Sequence, residues 1–250
     1  MPSVVGLLEQ RELGARRRVD GLQEETDRIP GRAGRGRAGM EGVGHRPLAG
    51  RDRCNDVLVR LSSGALRVYT PGCGAALKPS TPYTSLGTSG WNQYDVLTAP
   101  GDVTKDGRPD LIARNASTGT VYLYKGTGTG TLSARVKLYD NWKTYKKVVG
   151  AGDLNGDGIG DLLAQDTANN LYRYYGTGNG TFGARAKVFS NWGGSYNVIV
   201  GVGDINGDGK ADLVSRDSAG NVWRNNGDGK GSFGARTRIA TGWQGYKGLF

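Results

Sequence analysis

Three short stretches carry the chemistry this sequence can do. In Asp153-Leu154-Asn155-Gly156-Asp157-Gly158-Ile159-Gly160-Asp161, oxygen-bearing side chains stand at positions one, three, five and nine, with glycine at position six. Hard divalent cations take such donors. Ca²⁺ binds six to eight oxygens in flexible geometry at about 2.3–2.6 Å. Position seven, Ile159, adds its backbone carbonyl, and Gly158 permits a bend that a β-carbon resists. With no cation, three carboxylates crowd one point, and at ~4 Å and an effective dielectric near 20 each pair repels by roughly 4 kcal/mol. The pattern returns 51 residues later as Asp204, Asn206, Asp208, Gly209 and Asp212. It is anticipated 51 residues earlier by Asp102, Thr104, Asp106, Gly107 and Asp110, where a neutral Thr at position three predicts weaker binding. A fixed period makes the set far more specific than any one loop.

Other chemistries find little support. His45 is the only histidine and precedes the repeats, which excludes a Ser-His-Asp triad, a Cys-His pair or a histidine zinc site within them. No Glu follows Glu41, and the loops absorb nearly all the repeated acids, so a carboxylate pair for glycoside hydrolysis is not expected. We assign no catalytic residue. The formal net charge of +10 suits either an acidic partner or a solvated surface. The basic residues are spread through every repeat, with one local knot at Lys143, Lys146 and Lys147, which favours the solvated surface over a nucleic-acid partner. No run approaches the ~18 apolar residues that a membrane span needs.

The elements that must position these loops are short strands. Gly accounts for 44 of 250 residues and clusters at the edges of short apolar runs, as turns do in many-stranded proteins. Each repeat opens with a Trp-Tyr pair: Trp91/Tyr94, Trp142/Tyr145, Trp192/Tyr196 and Trp243/Tyr246. An apolar run leads into the acidic loop, and a strand starts at the position-nine Asp. An aromatic strand follows (Val121-Tyr122-Leu123-Tyr124, Leu171-Tyr172-Arg173-Tyr174, Val222-Trp223-Arg224). The last strand holds Phe182-Gly183 or Phe233-Gly234 and runs on to segments such as Lys187-Val188-Phe189. Each unit is thus a four-stranded sheet that buries its faces only by stacking on its neighbours. The expected fold is all-β: a β-propeller-like array of about four four-stranded blades on a 51-residue repeat, with units at about 51–101, 102–152, 153–203 and 204–250. The tryptophans serve either as sugar platforms or as blade-to-blade packing, and recurrence at one position per unit favours packing. Four units could close a small ring, stay an open arc, or complete a ring by oligomerising.

Residues 1–50 differ in composition. The Arg16-Arg17-Arg18 run and the Gly31–Gly39 Arg/Gly stretch predict a low-order segment or linker, and Val4–Leu8 is too short for a secretory apolar core, so no signal peptide is visible. The first unit keeps only Asp52 and Asp56 of its acidic loop. Its Cys54 and Cys73 flank a hairpin read as turning at Ser63-Gly64. A two-residue turn there would set the cysteines opposite each other as a disulfide, in an oxidising compartment; two buried free thiols are the alternative.

With their Phe-Gly element and ~50-residue period, the loops resemble FG-GAP (VCBS-type) repeats, found in integrin α-subunit propellers and many secreted bacterial proteins. The resemblance covers residues 51–250, although Phe-Gly weakens to Leu132-Ser133 in one repeat and is absent from the first. It implies that each loop joins the first two strands of a blade and holds Ca²⁺. The implied ligands are Asp102, Thr104, Asp106, Arg108 (carbonyl) and Asp110; Asp153, Asn155, Asp157, Ile159 (carbonyl) and Asp161; and Asp204, Asn206, Asp208, Lys210 (carbonyl) and Asp212. An EF-hand begins the same way but needs an acid at position twelve, where Ala113, Ala164 and Ser215 stand. The resemblance further implies a secreted, extracellular, non-catalytic module that recognises a glycan, a cell-wall polymer or a protein. Related fungal lectins make the glycan sensible by analogy. The alternatives are an accessory domain of a secreted hydrolase and a protein-interaction scaffold.

Overall fold

The computed structural model describes residues 3–4, 56–70 and 78–246. Among the described residues, sixteen strands form four antiparallel sheets, each with its strands in chain order or its mirror. The first sheet contains β1 (Ser3–Val4), β2 (Val57–Arg60), β3 (Leu66–Tyr69) and β4 (Tyr83–Gly87). The second contains β5 (Tyr94–Gly101), β6 (Asp110–Asn115), β7 (Val121–Tyr124) and β8 (Val136–Tyr139). The third contains β9 (Tyr145–Gly152), β10 (Asp161–Asp166), β11 (Leu171–Tyr174) and β12 (Ala186–Phe189). The fourth contains β13 (Tyr196–Gly203), β14 (Asp212–Asp217), β15 (Val222–Gly227) and β16 (Phe233–Ala240).

The sheets are the blades of a propeller. β9 lies against both β5 and β13, and β5, β9, β13 and Arg60 of β2 line one shared cleft of about 280 Å³. Alternate residues of the second strand in each blade face opposite neighbours, as a period of two requires. Leu111 packs toward the first blade and Ile112 toward the third, while Leu162 packs toward the second and Leu163 toward the fourth. All four are at most 1% exposed, and burying such a side chain stabilises by about 1.5–3 kcal/mol.

The repeated tryptophans join one blade to the next. The backbone N–H of Trp91 donates to the Gly64 carbonyl at the preceding hairpin tip (3.0 Å), and Trp142, Trp192 and Trp243 do the same to Gly119, Asn169 and Gly220. Trp91 and Trp142 are buried, as packing predicts. Each sits in a 3₁₀ turn and is clasped from behind: Arg60 and Arg114 donate to the carbonyls of Trp91 and Trp142 at 3.2 and 3.0 Å.

Two expectations are corrected. The first hairpin pairs Arg60 with Leu66 and Val57 with Tyr69. Its loop is the three residues Ser62-Ser63-Gly64, with Gly64 in the left-handed region (φ 82°) and the Leu61 N–H donating to the Ala65 carbonyl. This three-residue form displaces the register of the described pairs by one from a two-residue turn; Cys54 and Cys73 lie outside the described residues. In the third blade the last strand begins at Ala186, and Phe182 instead makes an isolated bridge to Gly176. Within segment 1–50, Ser3–Val4 pairs with Val59 and Arg60 as a strand; its other residues lie outside the described residues.

Candidate metal-binding loops

Each acidic loop connects the first strand of a blade to the second: β5 to β6, β9 to β10 and β13 to β14. The turn forms because Gly156 and Gly158 take φ of 82° and 81°, and Gly207 and Gly209 take 81° and 80°. The chain then coils around its first carboxylate. Asp153 accepts N–H groups from Gly156 (2.7 Å), Asp157 (3.1 Å) and Gly158 (2.7 Å). Asp204 accepts the matching three from Gly207, Asp208 and Gly209 at 2.6, 3.0 and 2.7 Å. At position five, Asp157 and Asp208 accept the N–H of Ile159 and Lys210, at 2.9 and 3.0 Å. Asn155 and Asn206 lean on those same aspartates, at 2.9 and 3.3 Å.

The first loop is built less well. Lys105, not glycine, occupies the left-handed position (φ 59°). Thr104 turns its hydroxyl back onto Asp102 (3.3 Å), and Arg108 forms an ion pair with Asp106 (3.3 Å).

The position-nine aspartates have a different setting. Asp110, Asp161 and Asp212 are at most 1% exposed, yet each carboxylate holds two backbone N–H groups from separate segments. Asp161 takes Leu154 on one oxygen and Gly176 on the other, both at 2.8 Å. Asp110 takes Val103 and Gly126 at 3.0 and 2.9 Å, and Asp212 takes Ile205 and Gly227 at 3.2 and 2.9 Å. Burial raises the proton affinity of all three above the usual carboxylate range. For Asp161 the pKa reaches about 7, pushed up by burial and then by the charges of Asp157 and Asp153.

The donor set suits a hard cation in type: in the second and third loops, three carboxylates, a side-chain amide oxygen and a backbone carbonyl. The charges of Asp153 and Asp157 reach Asp161, and those of Asp204 and Asp208 reach Asp212, which is the field a cation relieves. Among the described residues, no lysine or arginine pairs with any of these six aspartates, and no three or more His, Cys, Asp or Glu side chains gather as a metal site. In the first blade, Asp56 is buried just ahead of β2 as Asp110 opens β6, while Asp52 lies outside the described residues.

Sequence reasoning missed the glycines that meet the position-nine aspartates. At Gly126, Gly176 and Gly227 an added Cβ would press on the carbonyl oxygen of Pro109, Gly160 and Ala211. The signal was present, since a glycine closes the aromatic strand in all three repeats.

Four stacked antiparallel blades with an acidic loop between their first two strands define a repeat β-propeller. The chain belongs to the FG-GAP-like repeat family, which it matches over residues 102–164, 153–215 and 204–250. No curated protein matches it. Among solved structures it is similar to an Agrocybe aegerita lectin described as recognising non-reducing terminal N-acetylglucosamine, at 19% identity and a TM-score of 0.47. The match covers 80% of this chain and 52% of the lectin chain, so this chain spans about half of that protein. It is also similar to a symmetrical protein described in connection with de novo evolutionary emergence (17% identity, TM-score 0.49, covering 76% of this chain and 75% of the other). A third match is to a Photorhabdus luminescens Tc holotoxin pore, at 13% identity and a TM-score of 0.34, covering 77% of this chain and 11% of the other. Among the described residues no helix is long and apolar enough to cross a membrane.

Proposed function

We propose that the protein is a calcium-stabilised, non-catalytic binding module that acts outside the cell and recognises a glycan, a cell-wall polymer or a protein. One observation carries the calcium reading. The second and third loops each hold three aspartates whose charges bear on one another, and no basic side chain among the described residues neutralises them. Asp153, Asn155, Asp157, the Ile159 carbonyl and Asp161 would hold one ion, and Asp204, Asn206, Asp208, the Lys210 carbonyl and Asp212 another. Asp102, Thr104, Asp106, the Arg108 carbonyl and Asp110 would hold a third, more weakly. Bound there, Ca²⁺ supplies charge neutralisation and a tie between the first two strands of a blade. The protein's own part is to pre-form the turn through backbone N–H groups.

A nucleic-acid partner is not proposed, because the basic residues are spread through every repeat and form no single stripe. The experiment is thermal melting: EDTA lowers the melting temperature, Ca²⁺ restores it and Mg²⁺ does not. Melting indifferent to EDTA and Ca²⁺ removes the calcium reading. Retention on an insoluble polysaccharide in Ca²⁺ separates glycan recognition from a protein scaffold or a hydrolase accessory domain.

A further inference from the structure

The junction between the third and fourth blades departs from its siblings in three linked ways. At the earlier junctions a tyrosine ends the third strand and fills the space beside the tryptophan. The Tyr124 ring centroid lies 4.8 Å from that of Trp91, and Tyr174 lies 4.9 Å from Trp142. Their hydroxyls bond to Tyr94 (2.6 Å) and Tyr145 (2.5 Å), which also accept from Arg135 (2.7 Å) and Arg185 (2.8 Å). In the fourth blade the same register position, opposite Leu213 as Tyr174 is opposite Leu162, is Asn225.

The shorter side chain leaves a cleft of about 440 Å³, lined by Phe189, Trp192, Tyr196, Asn225, Phe233 and Arg236 among others. Second, the turn before Tyr196 is one residue longer than its siblings, and Trp192 is partly exposed where Trp91 and Trp142 are buried. Third, Gln165 stands where Arg60 and Arg114 clasp the other tryptophan carbonyls, and donates to Trp192 (2.7 Å).

The cleft carries unspent polar chemistry. Asn225 is 4% exposed and its Nδ2 donates to the Gly234 carbonyl (2.9 Å), but its Oδ1 is buried without a hydrogen-bond partner. Buried acceptors are normally satisfied, so this atom marks where a donor belongs. Arg236 is held over the Trp223 ring (4.0 Å) and donates to the Tyr196 hydroxyl (2.8 Å), without the second tyrosine its siblings have. Phe189 stacks on Trp192 with centroids 5.8 Å apart, presenting an aromatic wall.

We infer that this cleft is a subsite for one pyranose ring of a glycan. A sugar ring offers a C–H face to Trp192, a hydroxyl or amide donor to Asn225 Oδ1, and acceptor oxygens to Arg236. The volume lies within the range of small-molecule sites. The proposal rests on the glycan branch of the function proposed above and is independent of calcium.

The test uses the full chain in Ca²⁺, titrated with methyl glycosides of glucose, galactose, mannose and N-acetylglucosamine. The readout is the Trp192 indole N–H NMR signal, assigned with Trp192→Phe. At least one sugar shifts that signal saturably. Asn225→Tyr restores the sibling arrangement, so it weakens binding at least ~10-fold while melting stays the same or rises. Asn225→Ala keeps the cleft open without Oδ1 and weakens binding roughly tenfold, the loss expected for one buried hydrogen bond. No shift with any of the four sugars, or Asn225→Tyr and Asn225→Ala variants that bind like the parent, overturns the subsite. A sugar response with melting indifferent to EDTA overturns only the calcium reading, and the converse pattern only the subsite.

Discussion

The Asp161 carboxylate accepts the backbone N–H of Gly176 at 2.8 Å, across 15 residues, and so ties the acidic loop to the far end of β11. Its other oxygen takes Leu154 at 2.8 Å. The position-nine aspartate is therefore a structural strut as well as a proposed metal ligand, whereas Asp157 is exposed and braces only its own turn. Asp161→Ala strands two buried N–H groups at about 1–3 kcal/mol each, so it should lower stability in EDTA by about 2–5 kcal/mol. Asp157→Ala should cost about 1 kcal/mol or less in EDTA, yet remove most of the calcium-dependent gain of its loop. Urea unfolding of both variants with and without Ca²⁺ checks this, and equal costs in EDTA would refute the division of labour.

Gly176 is closed to any side chain. A Cβ there would press on the Gly160 carbonyl and stand 2.5 Å from Ile159 Cγ2, in the backbone that carries the loop. Gly183, the glycine of the Phe-Gly pair, would meet only the Tyr175 carbonyl at 3.7 Å, an ordinary contact. Gly176→Ala should destabilise by about 2–3 kcal/mol, as overpacking does, and Gly183→Ala by less than about 0.5 kcal/mol. Thermal melting of the two alanine variants side by side decides it.

Lys105 holds the left-handed position that Gly156 and Gly207 fill in the sister loops. That conformation costs a residue with a Cβ roughly 1–2 kcal/mol, and the extra unfolded-state freedom of glycine returns roughly 0.5–1 kcal/mol of it. Lys105→Gly should therefore raise stability by about 0.5–1 kcal/mol. Gly156→Lys should lower it by a similar amount. A melting shift of roughly 2–4 °C per kcal/mol is measurable for a chain of this size, and a Lys105→Gly variant that melts lower would contradict the strain.

The repeat period, the four strands per unit and the place of the loops were legible because each rests on local pattern: alternation, turn glycines and the Asp spacing. The first hairpin was misread because Ser63-Gly64 suits a two-residue turn as well as a three-residue loop, and only the packing of Leu58, Leu66 and Val68 selects between them. The bracing role of Asp161 was hidden for another reason. Its second partner is the backbone N–H of Gly176, and the recurring glycine that marks the place does not by itself say which group it meets. The cleft between the third and fourth blades was half visible: Asn225 where the sister strands carry Tyr124 and Tyr174, and the longer spacing from Trp192 to Tyr196, are differences between repeats. Reading the repeats for what they share passed over both.

The pKa of Asp161, raised from 3.8 to about 7 by burial first and then by Asp157 and Asp153, sets a pH signature. In the metal-free protein the folded state keeps this proton between those two values, while the unfolded chain has released it. The contribution is therefore fully present below the unfolded value and is lost as pH rises through about 7. Asp110 and Asp212 shift in the same direction for the same first cause and add to the slope. A bound Ca²⁺ competes with the proton for the carboxylate, so it should remove the decline and stabilise more at alkaline than at acidic pH. Melting in EDTA should fall between about pH 4 and 7, the span between the unfolded and folded values, with a shallower fall for Asp161→Asn, and melting in Ca²⁺ should hold or rise over the same window. Curves in EDTA that instead rise with pH would mean that these carboxylates ionise freely in the fold, and that no calcium is needed to keep them there.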